Sequence, residues 1–268
     1  RFVWHDLLRE LAAKKLSETE RGAATRRGAA QLRHAAYFTQ VGKMADQLYL
    51  QGGAGVVSGL AVFDRERAHI ESAFDALRTL KAHRELIELV DAVNYTSDLR
   101  FHPRQRIAWL EAQREAARAS GHKQAEGVAL GNLGAAYAAL GDARRAIGFY
   151  EQALVIDREI GDRRGEGADL GNLGNAYAAL GDARRAIEYY EQCLTLHREI
   201  GDRRGEGADL GNLGLAYADL GDAQRAIGFY EQRLVIAREI GDRRGEGNAL
   251  GNLGTAYRNL GDARRAIG

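Results

Sequence analysis

The sequence predicts an all-α fold, an array of antiparallel helix pairs preceded by an irregular helical connector. Three observations carry this. Near-identical blocks of forty residues run head to tail through the second half, and block 161–200 differs from block 201–240 at only nine positions. The run Gly-Asp-Arg-Arg-Gly-Glu-Gly stands unchanged at 161, 201 and 241. A Gly-Asp pair recurs every twenty residues, at 141, 161, 181, 201, 221, 241 and 261. Self-similarity at a fixed period of this size marks stacked supersecondary units, each burying its apolar face on the next. The long repetitive surface that results mostly binds other chains, which points away from catalysis.

From the N-terminus, Ala23–Leu50 reads as a long helix, Gln51–Gly59 as a Gly-rich loop and Phe63–Leu80 as another helix. Arg84–Ser97 reads as one amphipathic helix. Pro103 marks the start of the next, where its missing N–H costs nothing, and Gly121 marks its end. Residues 81–120 therefore read as a worn repeat, with Trp109 forty residues before Phe149.

In the array, glycine just past a helix end takes the left-handed cap conformation without a Cβ clash. The aspartate after it accepts from the free N–H groups of the next helix. Each Gly-Asp thus stops one helix and starts another, leaving helices of about eighteen residues, roughly 27 Å at 1.5 Å per residue. Two-residue connections make neighbours antiparallel. Leu170, Leu173, Gly174, Tyr177 and Leu180 recur at helical steps, as do Ala183, Ala186, Ile187, Tyr190, Leu194 and Leu196. Gly174 and Ala186 are small where helices must approach. Helix glycines cost about 1 kcal/mol each relative to Ala, and nothing in the sequence explains Gly165 or Gly167.

Composition excludes several classes. The 268 residues carry a formal net charge of +1. Residues 1–120 hold 19 Lys+Arg against 15 Asp+Glu (+4) and residues 121–268 hold 19 against 22 (−3), so neither half has the excess that nucleic acid would want. Cys193 is the only cysteine, which rules out an internal disulfide and favours an intracellular, cytoplasmic setting. No apolar run approaches the roughly 18 residues of a membrane span. The start shows no signal-peptide pattern, and Arg1 and Gly268 both read as cuts in a longer chain.

Leu170, Leu173-Gly174, Tyr177, Gly181-Asp182, Ala186, Tyr190 and a small residue at 193 resemble the tetratricopeptide-repeat signature. The forty-residue period, the Asn-Leu-Gly core and the Gly-Asp-Arg-x-Gly-Glu link are similar to the longer variety in kinesin light chains and Pins-type adaptors. The resemblance implies a right-handed superhelical solenoid, with repeats at 121–160, 161–200 and 201–240 and a truncated one at 241–268. Arg233 departs from it, standing where the other blocks have Ala153 and Cys193. Its stem is expected along the surface with its head in water.

Phe2-Val3-Trp4-His5-Asp6-Leu7-Leu8-Arg9 resembles the Met-His-Asp segment closing the winged-helix domain of NB-ARC-type (STAND-class) signalling ATPases, with Trp4 replacing the usual Met. Arg33-His34-Ala35-Ala36-Tyr37-Phe38 and Phe63…Arg67…Ile70…Ala73 resemble the connector that joins such cores to tetratricopeptide arrays. The resemblance implies that residues 1–20 end a winged-helix segment, that 21–80 are a helical connector, and that His5 would sense nucleotide in the parent protein. ADP or ATP would belong to a core outside this chain, and no cofactor is expected within it.

Two ladders are candidate sites. Asn132, Asn172, Asn212 and Asn252 each stand in Gly-Asn-Leu-Gly. By resemblance to peptide-binding members, this position lines the concave groove, and an amide can pair with an extended backbone of any sequence. Stacked helices about 8–10 Å apart would set one Asn against about every third residue of a ligand rising 3.3 Å per residue. The alternative is a bond from each Asn to a neighbouring helix. Arg163, Arg203 and Arg243 stand at helix starts, where cations oppose the dipole. Their use is either gripping a partner's acidic side chains or a solvated edge paired with Asp162 and Glu166.

Other motifs fail. Gly165-x-Gly167-x-x-x-Gly171 lacks a preceding strand and repeats inside helices, so it is no dinucleotide fingerprint. Gln51-Gly52-Gly53-Ala54-Gly55 has no following Lys-Ser/Thr. The seven histidines show no metal spacing with Cys193, which reads as a small packing residue. The expected function is a protein- or peptide-binding sensor arm of a STAND-type signalling or transcription-regulatory ATPase. The alternative is a scaffold adaptor without an ATPase.

Overall fold

The computed structural model describes residues 3–262 and 265–266, with side chains for Lys15, residues 25–262 and residues 265–266. Twelve α-helices account for the described residues, and no strand occurs among them. The chain forms two compact units, Arg1–His122 and Lys123–Gly268.

The first unit begins with α1 (Val3–Leu50), a helix of 48 residues. It starts well before the expected Ala23, because nothing from Val3 onward, no proline and no paired glycine, interrupts it. A turn at 51–53 leads into α2 (Ala54–Leu80), with Gly52 at φ 73° and Gly53 at φ 53°. The expected loop to Gly59 is therefore only three residues long. Gly55 and Gly59 are helical, and they are small because α1 lies against them. A Cβ at Gly59 would collide with the carbonyl oxygen of Ala45 and stand 2.7 Å from the Tyr49 nitrogen. Phe63, Ile70 and Leu77 form the fully buried stripe of α2.

The expected helix 84–97 is in fact two, α3 (His83–Ala92) and α4 (Asn94–Arg100). The break at Val93 is made by α1. Asp46 accepts from the Tyr95 and Thr96 backbone N–H groups at 2.8 Å each and from the Thr96 hydroxyl at 2.6 Å. A carboxylate from elsewhere in the chain thus caps a new helix start. Next comes α5 (Pro103–Ser120), with Pro103 in its first turn and Gly121, at φ 69°, ending it as expected. Trp109 stacks on Phe74 with ring centroids 4.0 Å apart.

The second unit is α6 (Lys123–Ala139), α7 (Ala143–Ile160), α8 (Arg163–Ala179), α9 (Ala183–Ile200), α10 (Arg203–Asp219), α11 (Ala223–Glu239) and α12 (Arg243–Asn259). Each helix packs on its neighbours in sequence. The Gly-Asp punctuation works as its chemistry predicts. Gly161, Gly181 and Gly201 sit at φ 73°, 77° and 71°, and Asp162, Asp182 and Asp202 accept from N–H groups of the following first turn. Leu130, Leu133, Leu170, Leu173, Leu210 and Leu213 are fully buried. Leu180 is not on that face; it caps α8 and is 45% exposed.

The unexplained glycines have a tertiary cause. A Cβ at Gly167 would stand 3.0 Å from His197 Nε2 on the following helix. A Cβ at Gly165 would stand 2.7 Å from the Asp157 Cγ, and one at the equivalent Gly205 2.7 Å from the His197 ring, where the end of one repeat crosses the start of the next. Gly174 admits the ring of Tyr190, whose Cδ1 would lie 2.5 Å from an added Cβ. Arg233 is half-buried, and its stem lies over α10, with its Cζ 2.8 Å from where a Gly211 Cβ would be.

Candidate functional site

The asparagine ladder is half-buried at all four positions, on α6, α8, α10 and α12. Asn212 opens into a groove of about 630 Å³ in the second unit, whose walls include Asn175, Tyr190, Leu215 and Asp219. Tyr190 donates its hydroxyl to Asn175 Oδ1 at 2.8 Å, which fixes that amide at the rim. Burial, with Asp209 nearby, pushes the Tyr190 phenol up to about 12, so it stays a neutral donor. Asn132 has an interaction within the protein. The ladder is therefore not uniform, and Asn212 is its best-placed member for a ligand.

The arginines are bound into the array itself. Arg163 donates to Glu166 at 2.6 Å and also pairs with Glu199. Arg203 donates to Glu239 at 3.1 Å and pairs with Glu206. The preceding repeat contributes Arg158 to Glu166 at 2.8 Å and Arg198 to Glu206 at 2.9 Å. The carboxylates gripped are thus intramolecular, and Glu166 serves as the sequence suggested, with Glu199 rather than Asp162 as second partner. Burial pushes Glu206 up, but the bonds from Arg198 and Arg203 outweigh it and hold the group below its ordinary value. Arg243 differs, with a side chain 91% exposed and a single long contact of 3.5 Å to Glu246.

A third set was not legible as a site. At two of the repeat junctions, the last turns of one repeat face the first helix of the next through a polar pair, where the equivalent positions before and after are Ala117 with Ala129 and Ala237 with Ala249. Asp157 faces Asp169 between α7 and α8, both buried. Burial, with the charges of Asp162 and Glu166, pushes Asp157 up to about 6, and burial, with the charge of Asp157, pushes Asp169 up to about 8, so the two carboxyls share a proton at neutral pH. Asp169 Oδ2 has no hydrogen-bond partner. Between α9 and α10 the equivalent residues are His197 and Asp209, with Nδ1 2.6 Å from Oδ2. Cys193 joins them, its Sγ 3.6 Å from Nδ1 and donating to the Gly167 carbonyl at 3.2 Å. Among the described residues, Cys193, His197 and Asp209 are the group whose donor atoms could converge on a metal ion, lying within 4.8 Å of one another. The four-residue step from Cys193 to His197 is a same-face helical spacing and was the available signal. Asp209 arrives only through packing.

His5 lies outside the residues with described side chains. Among the described residues, no helix is long and apolar enough to cross a membrane.

The family model of the tetratricopeptide repeat matches residues 125–199, 165–239 and 208–268. None of the curated proteins matches the chain in sequence. Solved structures share the fold at low identity. BtubC (BKLC) from P. vanneervenii matches with TM-score 0.65 and 20% identity, over 76% of this chain and 86% of that one. A STAND protein with a tetratricopeptide repeat sensor, PH0952 from Pyrococcus horikoshii, matches with TM-score 0.73 and 17% identity, over 88% of this chain and 35% of that one. A putative kinesin light chain from Podosopora anserina with nearly identical repeats matches with TM-score 0.54 and 20% identity, over 71% of this chain and 90% of that one.

Proposed function

The chain belongs to the tetratricopeptide-repeat family, and on that footing we propose that residues 123–268 are the peptide- or protein-binding arm of a cytoplasmic STAND-type signalling ATPase. The observation that carries the binding role is the groove beside Asn212. It offers an amide, a second amide held by Tyr190, and the Asp219 carboxylate, next to the exposed Leu215. That mixture suits an extended peptide, with polar groups for its backbone and an apolar wall for a side chain.

The ATPase context is supported by the His5-Asp6 segment and by similarity to the PH0952 structure, of which this chain spans 35% of the length. In this reading, nucleotide and its chemistry belong to the parent's core. Ligand bound by the arm biases the switch only through its different affinity for the two states. Similarity to a putative kinesin light chain favours a second reading, a scaffold adaptor with the same groove and no nucleotide domain.

Peptides selected from a random display library on the intact chain test the groove. Asn212→Ala should weaken them about fivefold or more, the loss of one bond at about 1 kcal/mol. Unchanged affinity sinks the groove. The reading frame upstream of the Arg1 codon separates the two contexts, since a phosphate-loop domain there supports the ATPase and its absence leaves the adaptor.

A further inference from the structure

We propose that Cys193, His197 and Asp209 form a binding site for a borderline-soft divalent cation of the zinc class, which would clip the repeat 161–200 to the repeat 201–240.

The geometry supplies three kinds of donor from two elements. Cys193 and His197 stand one turn apart on α9, and Asp209 comes from α10. Thiol to imidazole is 3.6 Å and imidazole to carboxylate 2.6 Å, with all three donor atoms inside 4.8 Å. Ligands about 2.0–2.3 Å from a tetrahedral zinc ion stand a little over 3 Å apart, so sub-ångström shifts of these side chains would admit one. Bare glycine backbone beside the cluster lets these side chains come together. Gly167, Gly171 and Gly205 flank the cluster, where a Cβ would stand 3.0 Å from His197 Nε2, 3.7 Å from Cys193 Sγ and 2.7 Å from the His197 ring.

The donor set fits the ion's chemistry. Sulfur and imidazole nitrogen favour zinc over calcium or magnesium, which take oxygen shells. With Sγ as thiolate, Asp209 ionised and the imidazole neutral, the ion leaves the cluster with a formal charge of zero. Binding releases the thiol proton to solvent and requires the imidazole proton on Nε2, leaving the Nδ1 lone pair for the ion. A neutral buried cluster avoids the cost of an isolated buried charge. The His197 side chain also lines an open cleft of about 820 Å³ with Asp162 and Asp202. That cleft gives the ion a way in and a water for the fourth position.

A nucleophilic cysteine does not fit the same residues. Cys193 is 1% exposed and its S–H is committed to the Gly167 carbonyl. Burial, with Asp209 beside it, pushes the thiol up, so it is poorly ionised until a cation replaces its proton. The placement is also specific. Two of the nine positions that distinguish repeat 161–200 from repeat 201–240 are Cys193 and His197, which become Arg233 and Ala237.

Cobalt(II) is the probe, titrated into the reduced, tag-free chain. One equivalent should produce a thiolate-to-cobalt charge-transfer band with tetrahedral visible bands, and zinc should displace it and raise the Tm. Cys193 is the only cysteine, so that band reports this site even if no variant folds. Cys193→Ala should abolish the band, and His197→Ala should weaken zinc binding about a hundredfold or more. Ala153 and Ala237 already occupy these positions in neighbouring repeats, so both variants should fold. Absence of the band in the wild-type chain, or wild-type zinc affinity in both variants, overturns the site.

Discussion

Asp46 on the first helix holds both the backbone N–H and the hydroxyl of Thr96, fifty residues later in the chain, at 2.8 and 2.6 Å. The pair is buried, and it decides where a helix begins. Asp46→Ala would leave the Tyr95 and Thr96 donors without an acceptor and should cost the first unit about 2–3 kcal/mol. Amide exchange at Tyr95 and Thr96 should accelerate, while the helices of residues 123–268 keep their protection. Equal exchange in both proteins would refute the cap.

Glycine substitutions should split by environment. Gly174→Ala drives a methyl into the Tyr190 ring and should destabilise by about 1–3 kcal/mol. Gly228→Ala meets nothing within 4 Å and should stabilise by up to about 1 kcal/mol through helix propensity. Urea melts of the two variants read opposite signs if the close approach is real.

The Asp157–Asp169 pair makes the array sensitive to pH. Both carboxyls have folded-state values above the ordinary 3.8, at about 6 and about 8. The folded protein therefore holds more protons than the unfolded chain between those limits. Stability from this pair is complete below about pH 4 and declines as pH rises through about 8. Asp169→Asn supplies a permanent donor to Asp157, so it should flatten this decline. The variant should gain several degrees of Tm over wild type near pH 8.5, at about 2–4 °C per kcal/mol for a chain of this size. A variant that melts parallel to wild type at every pH would show that the pair does not share a proton.

Asn212→Ala should leave stability nearly untouched, since this amide is a half-exposed surface group of the groove face. Circular dichroism melts should agree with wild type within about 2 °C. A large loss would mean that the amide holds the array together rather than serving a ligand.

Much of the fold was legible because its signals are local. Gly161 and Asp162 act within one turn of each other, and the Leu170, Leu173, Gly174 and Tyr177 spacing names the buried face. The first unit was harder to read. Gly55 and Gly59 look like loop residues until α1 is laid against them, and nothing near Val93 announces a break. Leu180 continues the helical spacing but falls at the C-cap of α8, where it is exposed. The arginine ladder was legible as a choice between two uses, and only the positions of Glu199 and Glu239 showed which partners Arg163 and Arg203 take.

The chain's own code, read without coordinates, determined the helix count of each repeat, their antiparallel order and the family, because caps and apolar periodicity act over a few residues. Packing alone decided what fills each junction. His197 and Asp209 are twelve residues apart on different helices, and Asp46 and Thr96 fifty. Such pairs depend on how helices cross, and crossing is set by the summed fit of side chains from several elements rather than by any one stretch of sequence.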